Sequence, residues 1–367
     1  MRYPPVEILH WAKRKPKDLI DLSASEMPSP RLLADLGIRL EDIPLSGDNC
    51  YGYTVLKDVI ADRYGIAPRR VTITPGTSMA NFLVLNALLE RGDKTAVEFP
   101  AYEPLARLSE FITGRKPLKL IRDRGRGYHL GELPEQIIEE QPNILILSNL
   151  HNPTGVWDPP ETFITFAERV SEWGGWLLVD EVFLAYLPTG DEQTSAVSHH
   201  RIITTNSLSK AWGLHSLRIG WVIGPVDLVR RIELMTDSMY LILPFITEFL
   251  ASKVLARKGV GTGLLAAARE KSRTNWEIVA GALARMPALD WVAPTAGISV
   301  LLRFRDERNS DAFCGKLSSE YGTLVVPGRF FGVEDGFRMS FGIQEPLLHR
   351  GLSAIEALLN DNEGWAQ

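Results

Sequence analysis

The chain has 367 residues, 45% of them hydrophobic and 23% charged, a profile that excludes a disordered chain and is large enough for two lobes. A net charge of −5 and a pI near 5.9 offer no basic footprint for nucleic acid and no polybasic patch for a membrane surface. Only two cysteines, Cys50 and Cys314, occur, far apart, which argues against a disulfide framework or a cysteine-bound zinc ion and fits a reducing cytoplasm.

The leading stretch MRYPPVEILHWAKRKPKDLID lacks an apolar core of signal-peptide length, and its basic run from Lys13 to Lys17 reads as solvated surface. Strand-like apolar runs follow at Val71–Thr74, Thr95–Glu98, Ile144–Ser148, Trp176–Val179, Ile202–Thr205 and Ile219–Ile223. Between most of them lie helical patterns such as Met79–Arg91 and Pro160–Trp173. This alternation predicts an α/β architecture, with a mostly parallel sheet sandwiched by helices. The most apolar stretch, Met239–Ala251, is interrupted by Pro244 and Glu248 and is too short to span a bilayer. A long helix is predicted over Ser272–Met286, then short strands at Ser299–Arg303, Thr323–Val326 and Phe337–Ser340, and a closing helix near Leu347–Leu359. The last elements form a smaller α+β lobe. Residues 1–45 are expected to join it, because a short proline-rich leader cannot bury a core of its own, so residues 46–264 form the large lobe and 1–45 with 265–367 the small one.

Open parallel sheets bind ligands at the C-terminal ends of their strands, and the informative residues fall there. In VTITPGTSMANFLVL, Gly76, Thr77 and Ser78 open a helix whose N–H groups and dipole suit an anion, although ordinary N-capping has the same sequence. Tyr102, in FPAYEP, follows a strand end and either stacks on an aromatic ligand or fills the core. ILILSNLHNPTG ends a strand with Asn152, which either donates to a ligand oxygen or simply shapes the turn. WLLVDEVFLAY puts Asp180 and Glu181 at the end of an apolar strand, where a buried carboxylate needs a cationic partner. A protonated pyridine nitrogen would serve, and a helix cap or salt bridge is the alternative. In ITTNSLSKAWGLHSLRIGWVIG, Lys210 stands in a Ser/Gly-rich turn between two apolar strands, with Ser207 before it and Arg218 eight residues on. Burial near another cation lowers a lysine pKa and leaves a neutral amine able to attack an aldehyde, which favours function over a plain surface lysine. Late in the chain, GFRMSFG places Arg338 in a strand, where its guanidinium suits an α-carboxylate.

Together these segments resemble the class I/II aminotransferases, fold type I pyridoxal-phosphate enzymes, from about Asp21 to the end. SLSKAWGLHSLRIG is the most specific piece, followed by NPTG and the DE pair. The resemblance implies an aspartate-aminotransferase-like fold with a seven-stranded type of sheet, and pyridoxal 5′-phosphate as cofactor. Lys210 becomes the Schiff-base lysine and proton shuttle, Asp180 the partner of the pyridine nitrogen, and Asn152 the holder of the ring oxygen. Tyr102 stacks on the ring, Gly76, Thr77, Ser78, Ser207 and Arg218 form the phosphate cup, and Arg338, with Asn152, binds substrate. The implied activity is amino transfer between an amino acid and a 2-oxo acid by a cytoplasmic homodimer. No nucleic-acid or membrane partner is expected.

Three departures qualify this. Phe183 stands where the family often has a tyrosine bonded to the ring oxygen, so a donor is lost and the linkage pKa is expected to rise. Some decarboxylase-like relatives carry Phe there. GDNCYGYTVLKD resembles the stretch that reaches the partner subunit's phosphate, with Tyr51 and Tyr53 both available. DLSASEMPSP lacks the glycine common near the substrate carboxylate. A decarboxylase or lyase on the same cofactor is the first alternative. A non-catalytic cofactor-binding regulator is the second, and it lacks a DNA-binding extension. The run GVGTGLL at Gly259 lacks the glycine spacing of a dinucleotide site, and no HExxH pair supports metal catalysis. Arg329–Phe331 and the aromatic residues near the N-terminus either line a pocket or belong to the core.

Overall fold

Seven apolar runs pair into one sheet: β1 (Val71–Thr74), β2 (Thr95–Phe99), β3 (Leu118–Ile121), β4 (Ile144–Ser148), β5 (Trp176–Asp180), β6 (Ile202–Ser207) and β7 (Gly220–Ile223). The computed structural model describes residues 5–188, 193–256 and 260–361. The strand order is β1-β7-β6-β5-β4-β2-β3; β7 runs antiparallel to β1 and β6, and the other pairs are parallel.

Covering both faces explains the unbroken apolar strands. On β4, Ile144 and Ile146 pack on one side with Leu83 and Val84 of the helix Thr77–Leu88. Leu145 and Leu147 pack on the other with Phe163 and Phe166 of the helix Pro160–Ser171. Alternate residues of one strand thus feed two cores, as strand geometry requires. β3 is the strand that apolar pattern misses. It reads LKLI, lies at the sheet edge, and buries only Leu120, so a lysine is tolerated.

A second sheet, antiparallel throughout, pairs Val326–Pro327, Gly336–Ser340, Ser299–Phe304 and Leu289–Trp291 in that order. The predicted strand Thr323–Val326 is in fact two: Thr323–Leu324 pairs in parallel with Ile20–Asp21, and only Val326–Pro327 joins the second sheet. Leu289–Trp291 is a further strand beyond the predicted set, and the long helix starts early, at Val260, and ends at Leu283. Of the glycine run, Gly259 lies outside the described residues, and Gly261 and Gly263 stand within that helix. The ends of the expected small lobe, residues 1–4 and 362–367, also lie outside them. No helix among the described residues is long and apolar enough to cross a membrane.

The N-terminal segment is tied down at two places. Leu22 N–H donates to the Leu324 carbonyl at 2.8 Å, and the Leu22 carbonyl accepts from Ser340 N–H at 2.7 Å. Five residues on, Met27 N–H donates to the Lys210 carbonyl at 3.2 Å. Residues 23–26 are therefore stretched between the second sheet and the lysine turn.

Candidate active site

Thr74 ends β1, and the chain turns at Gly76 into the helix Thr77–Leu88. Gly76 has φ +84°, and a Cβ there would collide with the Arg218 guanidinium. That guanidinium is held over the turn by the carbonyls of His215 and Pro75, each at 3.2 Å. Thr77 Oγ1 is buried with no hydrogen-bond partner among the described residues. Ser207 closes the same corner at the end of β6. Free helix N–H groups, an unused hydroxyl and a guanidinium around a glycine make an anion cradle.

Asp180 ends β5 and is buried. Its Oδ2 accepts from Asn81 Nδ2 at 2.8 Å and its Oδ1 from Val182 N–H at 3.1 Å, while Asn81 Oδ1 accepts from Thr205 Oγ1 at 2.6 Å. Burial raises the Asp180 pKa against these bonds and the nearby Lys210 charge. A buried carboxylate with a raised pKa is a site waiting for a cation.

Lys210 Nζ donates to Ser25 Oγ at 2.7 Å, lies 3.6 Å from Glu26 Oε2, and sits 5.6 Å from the centre of the Phe183 ring. Burial lowers its pKa and the Arg338 charge adds to this, whereas Glu26 and Asp180 act the other way. Arg338 is buried beneath, donating from Nη1 to Asn152 Oδ1 at 3.1 Å and from Nη2 to the Ser23 carbonyl at 2.9 Å. Its Nε is buried without a partner among the described residues. Burial brings its pKa down to about 10, which still leaves a cation at neutral pH. Because Asn152 Oδ1 is taken, its amide N–H₂ is the half left to meet a ligand.

Asn152 itself is fixed from below. Its N–H donates to Ser148 Oγ at 3.1 Å, and Ser148 Oγ donates to Glu98 Oε1. Glu98 is paired with the fully buried Arg122 at 2.7 Å, and Arg122 also pairs with Asp158 at 2.5 Å. Removing Arg122 leaves two buried carboxylates facing each other. Arg122→Met is expected to cost about 3–5 kcal/mol of stability, read by chemical denaturation. A loss below ~1 kcal/mol would show that the network tolerates the missing cation.

A cavity of about 500 Å³ gathers these side chains: Thr77, Ser78 and Ser207 with Arg218 at one end, Asp180, Tyr102 and Asn152 along it, and Lys210 at its wall. Gly76 forms the turn under Arg218, and Arg338 lies behind Asn152. A larger cavity, about 730 Å³, lies by the helix Glu7–Arg14, away from this chemistry. Tyr51 and Tyr53 are not among the lining residues; Tyr51 Oη donates to Asp237 at 3.0 Å and the Tyr53 ring packs edge-on against Phe245. Phe330 and Phe331 belong to a core cluster with Ile8 and Val326, and Phe330, with Trp11 and the Asp311-paired Arg329, also lines that larger cavity, so both readings of this stretch hold. Several lining residues escape sequence reasoning, among them the polar Ser25, Glu26, Asn81, Ser148 and His215. Asn81 left a signal, a polar residue one helical turn after Thr77 on a buried apolar helix face.

The donor set fits pyridoxal phosphate. The cradle suits its phosphate, Asp180 its ring nitrogen, Asn152 its ring oxygen, and the unpaired Arg338 Nε a substrate carboxylate. Residues 46–355 match the family model for class I and II aminotransferases. Capreomycidine synthase of Streptomyces vinaceus is 30% identical over 306 residues, 82% of this chain and 77% of that one. Arginine–pyruvate transaminase of Pseudomonas aeruginosa is 26% identical over 323 residues, 83% and 81% of the two chains. Among solved structures, a PLP-dependent cyclase is similar at a TM-score of 0.86 and 26% identity, covering 98% of each chain.

Proposed function

We propose that this chain, which belongs to the class I and II aminotransferase family, moves an amino group from an amino acid to a 2-oxo acid with its cofactor carried on Lys210. It is a pyridoxal-phosphate-dependent enzyme with the aspartate-aminotransferase-like α/β fold. The observation that carries the proposal is one cavity lined by a lysine amine of lowered pKa and a buried carboxylate of raised pKa. Such opposed shifts mark groups set for proton work.

Bound pyridoxal phosphate supplies a cationic ring that stabilises negative charge at the substrate α-carbon. The chain supplies the rest. Arg218 and the helix N-terminus hold the phosphate, and Asp180 keeps a proton on the ring nitrogen. Asn152 directs its amide N–H₂ to the ring oxygen, and Tyr102 offers a ring face. Lys210, once neutral, moves a proton at the α-carbon. Arg338 fixes the substrate carboxylate through donors that Asn152 and Ser23 do not use. Arg338→Ala is expected to raise KM for every α-amino acid by about 10- to 100-fold, as lost charge-assisted hydrogen bonds should. An unchanged KM places the carboxylate elsewhere.

A panel of amino acids mixed with the holoenzyme tests the reaction type. Conversion of the cofactor to its pyridoxamine form with release of a 2-oxo acid is the result expected. A second reading, bond making or breaking at the same substrate without net amino transfer, is supported by Phe183 and by relatives named as a synthase and a cyclase. It predicts a decarboxylated, eliminated or cyclised product in place of the oxo acid.

The same proposal makes the enzyme a cytoplasmic homodimer. In support, Cys50 and Cys314 are both free, and Leu40, Leu45, Leu234, Leu241 and Ile242 expose apolar side chains.

A further inference from the structure

We propose that Glu26 handles the proton of each amine exchanged on the cofactor: it pairs with the Lys210 ammonium, and it takes the proton of the incoming substrate's ammonium. This rests on the amino-acid reading above. Glu26 lines the same cavity as Lys210, with Oε2 3.6 Å from Nζ and 37% of its side chain exposed. Its position is built in. The Ser23 carbonyl is held by Arg338 and Met27 N–H by the Lys210 carbonyl, so the segment is clamped on both sides of Glu26.

A charge inventory of the cavity singles it out. In the proposed reaction Asp180 has the ring nitrogen, Arg218 the phosphate and Arg338 the substrate carboxylate. Among the described residues Glu26 forms its ion pair with the Lys210 ammonium, and that cation vanishes once the lysine nitrogen is committed to the cofactor. A half-enclosed carboxylate without its counterion favours the next cation to arrive. Amino acids arrive at neutral pH as ammonium ions.

An ammonium has no lone pair and must lose a proton before it can attack. Phe183, the side chain facing Lys210, carries no hydroxyl to stabilise the ring oxygen, so the nitrogen linked to the cofactor keeps its own proton and accepts another poorly. The other groups that feel the Glu26 charge are Tyr102, Tyr186, Arg338 and Lys210 itself. Burial pushes Tyr102 up to about 12 and Tyr186 upward as well, so both stay neutral phenols, and Arg338 is a cation. His215 lines the cavity too, beside Arg218, whereas Glu26 is the carboxylate at 3.6 Å from Lys210 Nζ and so is the acceptor placed at the reacting nitrogen. The ammonium N–H bond breaks, its electron pair stays on nitrogen and forms the new carbon–nitrogen bond, and the proton resides on a Glu26 oxygen. The carbon–nitrogen bond to Lys210 breaks with its electron pair going to Nζ, so Lys210 leaves as a neutral amine free to move the α-proton. It takes the proton held on Glu26 only when turnover ends, which restores the pair seen here. Nothing is oxidised or reduced.

E26Q tests this against two amines, followed by the cofactor absorbance of the holoenzyme. At neutral pH the reaction with amino acids is expected to slow by about 100-fold and to recover as pH rises toward the pKa of the donor ammonium. Reaction with aminooxyacetate, whose amine is already neutral, should stay within ~2-fold of wild type, and E26D should regain part of the amino-acid rate. In apoprotein, the pH midpoint for uptake of pyridoxal phosphate should move down in E26Q, because Lys210 loses the anion that holds its proton. Equal slowing with both amines, no slowing with amino acids, or an unmoved uptake midpoint overturns the role of Glu26. If wild-type enzyme reacts with aminooxyacetate and with no amino acid, the amino-acid reading falls, and this inference with it.

Discussion

Lys210→Ala folds, takes up pyridoxal phosphate without a covalent link, and loses amino-acid turnover by about 10⁴-fold or more. Folding survives because Lys210 is held by one hydroxyl, Ser25, and one half-exposed carboxylate, Glu26, and such surface-side pairs contribute at most about 1 kcal/mol. Uptake survives because the phosphate cradle of Gly76, Thr77 and Arg218 does not involve the lysine. Turnover does not, because among the lining residues no other amine reaches the cavity to link the cofactor or move the α-proton. The check is a paired measurement of cofactor retention after gel filtration and of single-turnover rate. Retained turnover within ~10-fold of wild type would remove Lys210 from the chemistry.

Asp180→Asn has the next largest effect. The amide keeps nearly the same shape, so the cofactor binds, yet turnover is expected to fall by about 10²- to 10⁴-fold because the ring nitrogen loses its carboxylate counterion. The local bonding explains why the swap is not silent even without cofactor. Both Asp180 oxygens accept, one from Asn81 and one from Val182 N–H, and an amide can accept on one side only. The pH dependence has a definite sign. Burial raises the folded-state pKa above the ordinary 3.8, so the folded apoprotein binds this proton more tightly than the unfolded chain. Its contribution to stability is therefore full below 3.8 and is lost as pH rises from there through the raised value. Asp180→Asn should flatten that part of the apoprotein stability curve, as thermal melts across acidic pH would record. Near-normal turnover in this variant would contradict the assigned role of the carboxylate.

Burial decides how much of the fold was legible in the sequence. The strands β4, β5 and β6 are covered on both faces, so ILIL, WLLV and the run from Ile202 carry unbroken apolar signals. β3 is an edge strand with one buried side chain, and its mixed LKLI looks like loop. The split of Thr323–Val326 depends on which partner each half meets, Ile20–Asp21 or Gly336–Ser340, and neighbour identity is not a local property. The same contrast holds at the site. Asp180, Asn152 and Lys210 follow strand ends within motifs, so their convergence could be expected. Glu26 reaches Lys210 only because Ile20–Asp21 pairs with Thr323–Leu324 and hands the next residues across to the lysine turn. A glutamate in DLSASEMPSP has no periodicity to announce that path.

The central claim, an amine at position 210 joined to the cofactor, is tested most directly by reducing the holoenzyme with borohydride and mapping the modified peptide. The account predicts a single pyridoxyl group, on the peptide that contains SLSKAWGLHSLR, at Lys210. A pyridoxyl group on any other lysine, or none on the protein at all, would contradict it.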